Sequence, residues 1–237
     1  MMALGNPTAQ TSTAPTGGGS IVLDQVSKTY TGNGQRKLIL RDVSFVFPEG
    51  RNVAIMGRNG AGKSTLMRLL SGAERPDKGR VVRHGPVSWP LGFSGGFNGS
   101  MTGVENVLFV ARLYGQDADE VLGYVQWFSE LGDNLRLPIK TYSSGMKARL
   151  AFGLSMAIPF GTYLIDEITA VGDEAFKRKC RAVFAERQKE ARVIMISHSA
   201  STIRRTCDCG VLLENGTLTY HDDVGSLIDR YREMLDA

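Results

Sequence analysis

The sequence has few cysteines and no long hydrophobic segment. The first shortage argues against a protein held together by disulfides, and the second against a protein that spans a membrane. Its three cysteines, Cys180, Cys207 and Cys209, make no disulfide framework, and no second ligand pair lies near them to complete a metal site. A charge-free stretch at residues 150–165 contains proline and glycine and falls short of the ~20 residues that a membrane-spanning helix needs. We therefore expect a protein of the reducing cytosol that does not itself cross a membrane.

The first 20 residues contain almost no bulky apolar side chains. They consist mostly of Thr, Ser, Gly, Pro and Ala, and they have neither the basic start nor the apolar run of a secretory signal. Such a segment cannot offset the entropy of its own ordering. Residues 1–20 are therefore predicted to be a flexible N-terminal extension.

The excess of positive charge is small. The 28 basic and 24 acidic residues give a net charge of +4 and a pI of about 9.0, with the two signs mixed along most of the chain. This balance permits an anionic partner without indicating a nucleic acid or a membrane. At 237 residues, the chain can bury a full core as one large domain or two small ones.

A glycine-rich segment at residues 57–65 fits the phosphate-binding pattern G-x-x-x-x-G-K-[ST]. A buried strand is predicted before it at 51–56 and a helix after it at 64–70. Its backbone N–H groups would converge on an anion, with Lys63 near the β- and γ-phosphates and the Ser64 hydroxyl completing a Mg²⁺ shell. The alternative is a glycine turn that happens to end in Lys-Ser. The segment consists of Gly57, Arg58, Asn59, Gly60, Ala61, Gly62, Lys63, Ser64 and Thr65.

Two later apolar strands end in polar residues that suit the same site. One strand ends in Asp166 and Glu167, and another, at 193–196, is followed closely by His198. Ligands of open parallel sheets gather at the carboxyl ends of the strands, so we expect these residues to lie near Lys63. Two acidic residues often follow a strand by chance. The combination of Asp166, Glu167 and His198 after a phosphate loop is uncommon.

The remaining pattern predicts an α/β core with a helical insert. Tyr30 is predicted on a loop before the nucleotide site, where its ring could stack on a base or pack in the core. A hairpin is predicted at 211–220, with its turn at Asn215 and Gly216. The other predicted elements are strands at 21–26, 38–47 and 81–88, helices at 102–114, 117–131, 176–184 and 224–235, and a helix opened by the polar residues from 141 that continues to about 157.

Residues 89–100 interleave aromatic side chains with glycines. This composition favours a mobile apolar surface loop, although a loop packed onto its own core is an equal alternative.

Taken together, these segments resemble an ATP-binding-cassette (ABC) ATPase from about residue 21 to residue 237. The phosphate loop, residues 142–146 at the signature position, the acidic strand end, the loop at 170–173 and His198 occur in the family's order. The resemblance implies a P-loop NTPase (RecA-like) core with an antiparallel β subdomain and an inserted α-helical subdomain. It places the core at 21–96 and 158–237, and the helical subdomain at 97–157.

The resemblance also implies roles within one copy of the chain, with ATP and Mg²⁺ as cofactors. Tyr30 would stack on adenine, and Asp166 would hold the Mg²⁺ shell opposite Ser64. Glu167 would polarise the attacking water, and His198 would contact the γ-phosphate.

Further roles are implied between two copies, which would sandwich two ATP molecules. Each ATP would lie between one phosphate loop and the other copy's signature helix, where Ser143 and Gly145 would contact the γ-phosphate. Asp173 would lie at the dimer seam.

Residues 89–97 and 142–146 more narrowly resemble the ATPase subunits of capsular-polysaccharide exporters. This implies a homodimer that works with integral-membrane permease subunits and capsule export machinery at the cytoplasmic face of the inner membrane, without nucleic acid. In such an assembly, Trp89, Phe93 and Phe97 would line a groove that receives a cytoplasmic helix of the permease. One alternative is an O-antigen or teichoic-acid exporter; some of these carry a further carbohydrate-binding domain, and this chain ends at Ala237. A soluble ABC ATPase acting on DNA or ribosomes and a P-loop module that does not hydrolyse are the others.

The chain departs from the family pattern at several positions. Residues 89–100 contain no glutamine, whereas the family has one between its core and its helical insert. Ser144 replaces a glycine, Met146 a glutamine and Ile168 a proline. The polysaccharide-export branch tolerates such signature changes, so we interpret them as features of that lineage.

Overall fold

The computed structural model describes residues 20–32, 35–91, 96–166 and 174–236. Most of the predicted N-terminal extension lies outside these ranges, and so do Phe93, Glu167 and Asp173. Within the described ranges, no helix is both long and apolar enough to cross a membrane.

The described residues form nine strands and seven α-helices, with two short 3-10 turns before α4. The strands are β1 (Ile21–Gly32), β2 (Gln35–Phe47), β3 (Val53–Met56), β4 (Lys78–Arg83), β5 (Val87–Pro90), β6 (Thr162–Asp166), β7 (Arg192–Ile196), β8 (Cys209–Glu214) and β9 (Thr217–His221). The helices are α1 (Lys63–Ser71), α2 (Gly103–Leu113), α3 (Ala118–Ser129), α4 (Ser144–Ala157), α5 (Glu174–Arg187), α6 (Ala200–Thr206) and α7 (Val224–Asp236).

The described strands form two sheets. An antiparallel sheet has the order β2-β1-β4, and a larger sheet has the order β5-β6-β7-β3-β8-β9. All pairs in the larger sheet are parallel except β8 with β9. Because β3, β6 and β7 run the same way, the segments that follow them meet at one edge of this sheet.

Strand β3 shows how the core is divided. All of its residues are buried, as expected for a parallel strand covered on both faces. Val53 and Ile55 pack with apolar residues of the antiparallel sheet, whereas Ala54 and Met56 pack with the helices on the opposite face. The alternation follows from the two-residue period of a strand and places one core on each side of the sheet.

Helices α2, α3 and α4 lie between β5 and β6 in the chain and form the helical insert. Thr102 and Glu105 make the predicted capping box at the start of α2, and Asp117 caps α3. Phe128 of α3 is fully buried and stacks on Phe152 of α4, with ring centroids 5.5 Å apart. The predicted fold class is confirmed: an α/β core, an antiparallel β region and an inserted helical region.

Two local predictions differ from the structure, and one helix was missed. Residues 81–88 are not one strand, because Gly85 takes a left-handed φ of 116° and separates β4 from β5, which belong to different sheets. Tyr30 lies within β1 and not on a loop, since β1 continues its pairing with β2 to Gly32. Helix α6 was not predicted.

Two aromatic residues of the segment after β4, Trp89 and Phe97, pack against the protein itself. Trp89 lies in β5, and its ring centroid is 5.3 Å from that of Phe160 and 5.8 Å from that of Tyr114. Phe97 is also partly buried against the main core. For these two residues, the structure favours the packing alternative over an exposed loop.

Candidate functional site

The glycine-rich segment joins the end of β3 to the start of α1. Gly62 caps the helix with a left-handed φ of 109°, and a Cβ there would collide with the Cγ2 atom of Ile39. A Cβ at Gly57 would lie 2.5 Å from the backbone oxygen of Leu213. Both positions therefore require glycine, which lets the loop wrap closely over β2 and β8.

Lys63, the first residue of α1, holds this loop together. Its side chain is buried, and Nζ donates hydrogen bonds to the carbonyl oxygens of Gly57 (2.7 Å) and Arg58 (3.1 Å). The first turn of α1 contains no acidic residue, so the positive end of the helix dipole is not offset there. A cation, a helix N-terminus and glycine amides together make a site for an anion such as phosphate.

A cleft of about 440 Å³ opens over the loop. It brings the phosphate-loop residues Lys63 and Ser64 together with Asp166 and His198 from two other strands. The cleft is lined by Tyr30, Lys37, Ile39, Asn59, Gly60, Gly62, Lys63, Ser64, Thr65, Asp166, Ile196 and His198.

The sheet topology explains how residues so far apart in sequence share this cleft. Asp166 is the last residue of β6 and pairs with Ile196, the last residue of β7. His198 follows β7 by two residues and is exposed. Both neighbouring strands therefore deliver a polar side chain at the edge where β3 enters the phosphate loop.

The Ser64 hydroxyl and the Asp166 carboxylate supply hard oxygen ligands on the same cleft. The described residues contain no cluster of three or more His, Cys, Asp or Glu side chains that could hold a metal ion alone. This donor set fits Mg²⁺, which keeps waters and substrate phosphates in its shell, better than an ion held entirely by protein.

Tyr30 lies at the margin of the cleft, with 37% of its surface exposed. Its hydroxyl donates to the Glu74 carboxylate at 2.6 Å and accepts a 3.0 Å hydrogen bond from Arg68. Burial acts to raise the pKa of Glu74, but hydrogen bonds from Tyr30, Lys28 and Arg68 outweigh it and lower the pKa to about 2.

Sequence reasoning missed several residues of the cleft. Lys37 and Ile39 of β2 and Ile196 of β7 line it although they belong to no phosphate-binding motif. Lys37 pairs across the antiparallel sheet with Tyr30, so this register, and no local pattern, brings it to the site.

The signature segment lies elsewhere on the chain. Ser143 caps α4, accepting a 3.2 Å hydrogen bond from the Met146 backbone N–H, and the residue is exposed. Neither Ser143 nor Gly145 lines the described cleft. Glu167 and Asp173 were predicted as site residues but lie outside the described residues.

The profile of the ABC transporter family matches residues 40–170, more than half of the chain. The chain therefore belongs to the ABC transporter family, among its ATP-binding-cassette ATPases, which confirms the resemblance drawn from the motifs.

Individual relatives match nearly the whole chain. It is 46% identical to the polysialic acid transport ATP-binding protein KpsT of Escherichia coli over 91% of this chain and 98% of that protein. It is 45% identical to the capsule polysaccharide export ATP-binding protein CtrD of Neisseria meningitidis serogroup B over 90% and 99%. The fold is shared with the dimeric ATP-binding cassette MJ0796, solved in a post-hydrolysis state with ADP and Pi, at a TM-score of 0.68 and 19% identity over 86% and 98%.

Proposed function

We propose that this chain is the ATP-hydrolysing subunit of an exporter that moves lipid-linked capsular polysaccharide across the inner membrane. The observation that carries the proposal is the match to KpsT and CtrD, which extends over nine-tenths of this chain and almost all of theirs. Their names specify polysialic acid transport and capsule polysaccharide export. The cleft supplies the chemistry that such a subunit needs.

The cleft residues that belong to the recognised motifs have the following roles in this proposal. Lys63 neutralises the β- and γ-phosphates, and the phosphate-loop amides orient them for in-line attack. His198 contacts the γ-phosphate from the end of β7. Ser64 and Asp166 hold Mg²⁺, which supplies further neutralisation of phosphate charge when bound.

Water activation is assigned to Glu167, the residue after β6. A carboxylate there would polarise the attacking water, since β6 ends at the cleft with Asp166. This role comes from the family resemblance and is the part of the proposal most directly open to mutation.

The proposal includes a second copy of the chain. Ser143 and Gly145 lie outside the described cleft, so they are available to the γ-phosphate bound by a partner. Asp173 is assigned to the seam between the copies. The fold is shared with a cassette that was solved as a dimer.

Integral-membrane permease subunits and the capsule export machinery complete the proposed assembly, at the cytoplasmic face of the inner membrane. The permease contact at Trp89, Phe93 and Phe97 stays a prediction. Trp89 and Phe97 are partly buried against the protein's own core, and Phe93 lies outside the described residues.

Replacing Glu167 by glutamine tests the proposal. Glu167→Gln should bind Mg-ATP normally but lose about 10²- to 10⁴-fold in hydrolysis, the range for removal of a general base. In cells whose own capsule-export ATP-binding gene is deleted, the wild-type chain with its permease should restore surface capsule, and Glu167→Gln should not. Glu190→Gln, an exposed acid on the surface, is the control and should behave as wild type.

Normal hydrolysis by Glu167→Gln would overturn the role of that residue. If capsule is not restored there, but the chain with its permease restores O-antigen export in cells that lack their own O-antigen-export ATP-binding gene, the chain moves to the alternative class of exporter.

A further inference from the structure

The Tyr30 side chain is held at its hydroxyl end by charged residues from two other segments. Glu74, in the loop between α1 and β4, accepts a 2.6 Å hydrogen bond from the hydroxyl, and Arg68 of α1 donates a 3.0 Å hydrogen bond to the hydroxyl oxygen. The Tyr30 ring therefore has a fixed end, although the residue is 37% exposed.

Glu74 is the centre of this network. Besides the tyrosine hydroxyl, its carboxylate contacts Lys28 Nζ at 2.9 Å and Arg68 Nε at 3.0 Å. Only 20% of its side-chain surface is exposed, and its pKa of about 2 keeps it ionised at physiological pH. One carboxylate thus joins β1, which carries Lys28 and Tyr30, to the helix that follows the phosphate loop.

The network reaches the phosphate side of the cleft as well. Arg68 Nη2, which donates to the Tyr30 hydroxyl, also donates to Thr65 Oγ1 at 3.1 Å. Thr65 is a residue of the phosphate loop and lines the cleft. The ring of Tyr30 is therefore positioned relative to the phosphate loop itself.

One face of the Tyr30 ring is already covered. The Lys28 ammonium lies over the ring, 5.5 Å from its centroid, and Lys28 does not line the cleft, whereas Tyr30 does. A flat ligand can reach the ring from the side of the cleft. An aromatic face held in one orientation binds a base at a lower entropic cost than a ring free to rotate.

From these contacts we propose that Glu74 is a positioning residue for the nucleotide base: it fixes the Tyr30 ring against the cleft, so that the base of ATP stacks on a preformed surface. This inference rests on the proposed function, since it assigns part of the ATP site. It makes Glu74 act on base recognition and not on the phosphates.

The experiment compares two ligands, Mg-ATP and inorganic tripolyphosphate with Mg²⁺, by calorimetry. Glu74→Ala should weaken Mg-ATP binding by about three- to tenfold, the effect of ordering one freed side chain on binding. Binding of tripolyphosphate, which has no base, should not change. Tyr30→Phe keeps the ring but removes both hydroxyl contacts, so it should show the same selective loss even if Glu74→Ala folds poorly.

A double-mutant cycle separates positioning from general damage. In a Tyr30→Ala background, Glu74→Ala should cause no further loss of Mg-ATP affinity, because the ring that it positions is gone. Asp24→Ala is the matched control. Asp24 lies on β1, as Tyr30 does, and pairs with Arg80 at 2.9 Å, so this variant should bind both ligands as the wild type does.

Equal weakening of both ligands, or an undiminished effect of Glu74→Ala in the Tyr30→Ala background, would overturn the inference. Failure of the wild-type chain to bind Mg-ATP would instead overturn the proposed function, so the two failures are distinguishable.

Discussion

The helix starts of α1 and α4 use similar residues but are built differently. Each has glycine and a hydroxyl residue near a helix N-terminus. At α1, Lys63 is buried, and Gly62 has no room for a Cβ beside Ile39. At α4, Ser143 is exposed, and among the described residues a Cβ at Gly145 would meet only Ser143 Oγ, 3.9 Å away.

This difference indicates which of the two helix starts belongs to a binding site that one chain forms by itself. The loop before α1 is packed against β2 and β8 of the same chain and opens onto a cleft that the chain lines. The start of α4 lies outside that cleft, so its polar groups are available to another molecule. In the proposed dimer, that molecule is the nucleotide held by the second copy.

Mixing two inactive variants, one altered at the start of α1 and one at the start of α4, would test this comparison of the two helix starts most strongly. Lys63→Ala should lose hydrolysis on the order of 100-fold by removing a phosphate contact, and Gly145→Asp should lose as much by placing a carboxylate against the γ-phosphate. In a mixed dimer, both defects fall in one site and leave the other intact. A 1:1 mixture should therefore recover about a quarter of wild-type ATPase activity if pairing is random.

A mixture as inactive as its components would contradict the arrangement between copies. Wild type mixed with an equal amount of Lys63→Ala should keep about half of the wild-type activity, because each wild-type phosphate loop still meets an intact signature helix, and this control tests whether the two sites act independently.

Alanine at the two glycines should give unequal effects on folding. Gly62→Ala combines a left-handed φ of 109° with a collision at Ile39, so we expect a loss of about 1–3 kcal/mol in the free energy of unfolding, and weaker ATP binding. Gly145→Ala has room for its methyl group and should leave the free energy of unfolding within about 0.5 kcal/mol of wild type. Urea unfolding measures both, and equal losses would show that the two helix starts are equally constrained.

The hydrogen bonds and ion pairs of Glu74, which join α1 to β1, should stabilise the fold in a way that is lost at low pH. Folding lowers the pKa of Glu74 from its ordinary 4.5 to about 2, so the stabilisation is present above about pH 4.5 and is lost as the pH falls toward 2. We expect wild type to lose about 1–3 kcal/mol more than Glu74→Gln between pH 6 and pH 3. Urea unfolding at constant ionic strength measures this, with Glu190→Gln as control; parallel pH profiles would show that the network contributes nothing.

The sequence predicted the phosphate loop well because its requirements are local. The glycines, Lys63 and the flanking strand and helix all lie within about one strand–loop–helix unit, and the structure has that unit at β3 and α1. The Asn215–Gly216 turn was equally local, and both residues take positive φ between β8 and β9.

Prediction from the sequence failed where pairing between distant segments decides the position of a residue. Tyr30 follows a short predicted strand, but pairing with β2 extends β1 past it. Lys37 reaches the cleft only through that register, and Glu74 meets Tyr30 because the loop after α1 returns to β1. No periodicity within either segment carries this information.

By itself, the sequence determined the anion-binding loop and the polar residues that end its strands, because short-range backbone geometry and hydrophobic period encode them. It also determined the class of the protein, through the resemblance of its ordered motifs to a known family. Tertiary structure alone decided which side chains share the cleft, which face of Tyr30 is open, and that the start of α4 lies apart from the phosphate loop. These follow from strand order and long-range packing, which bring together residues more than a hundred positions apart.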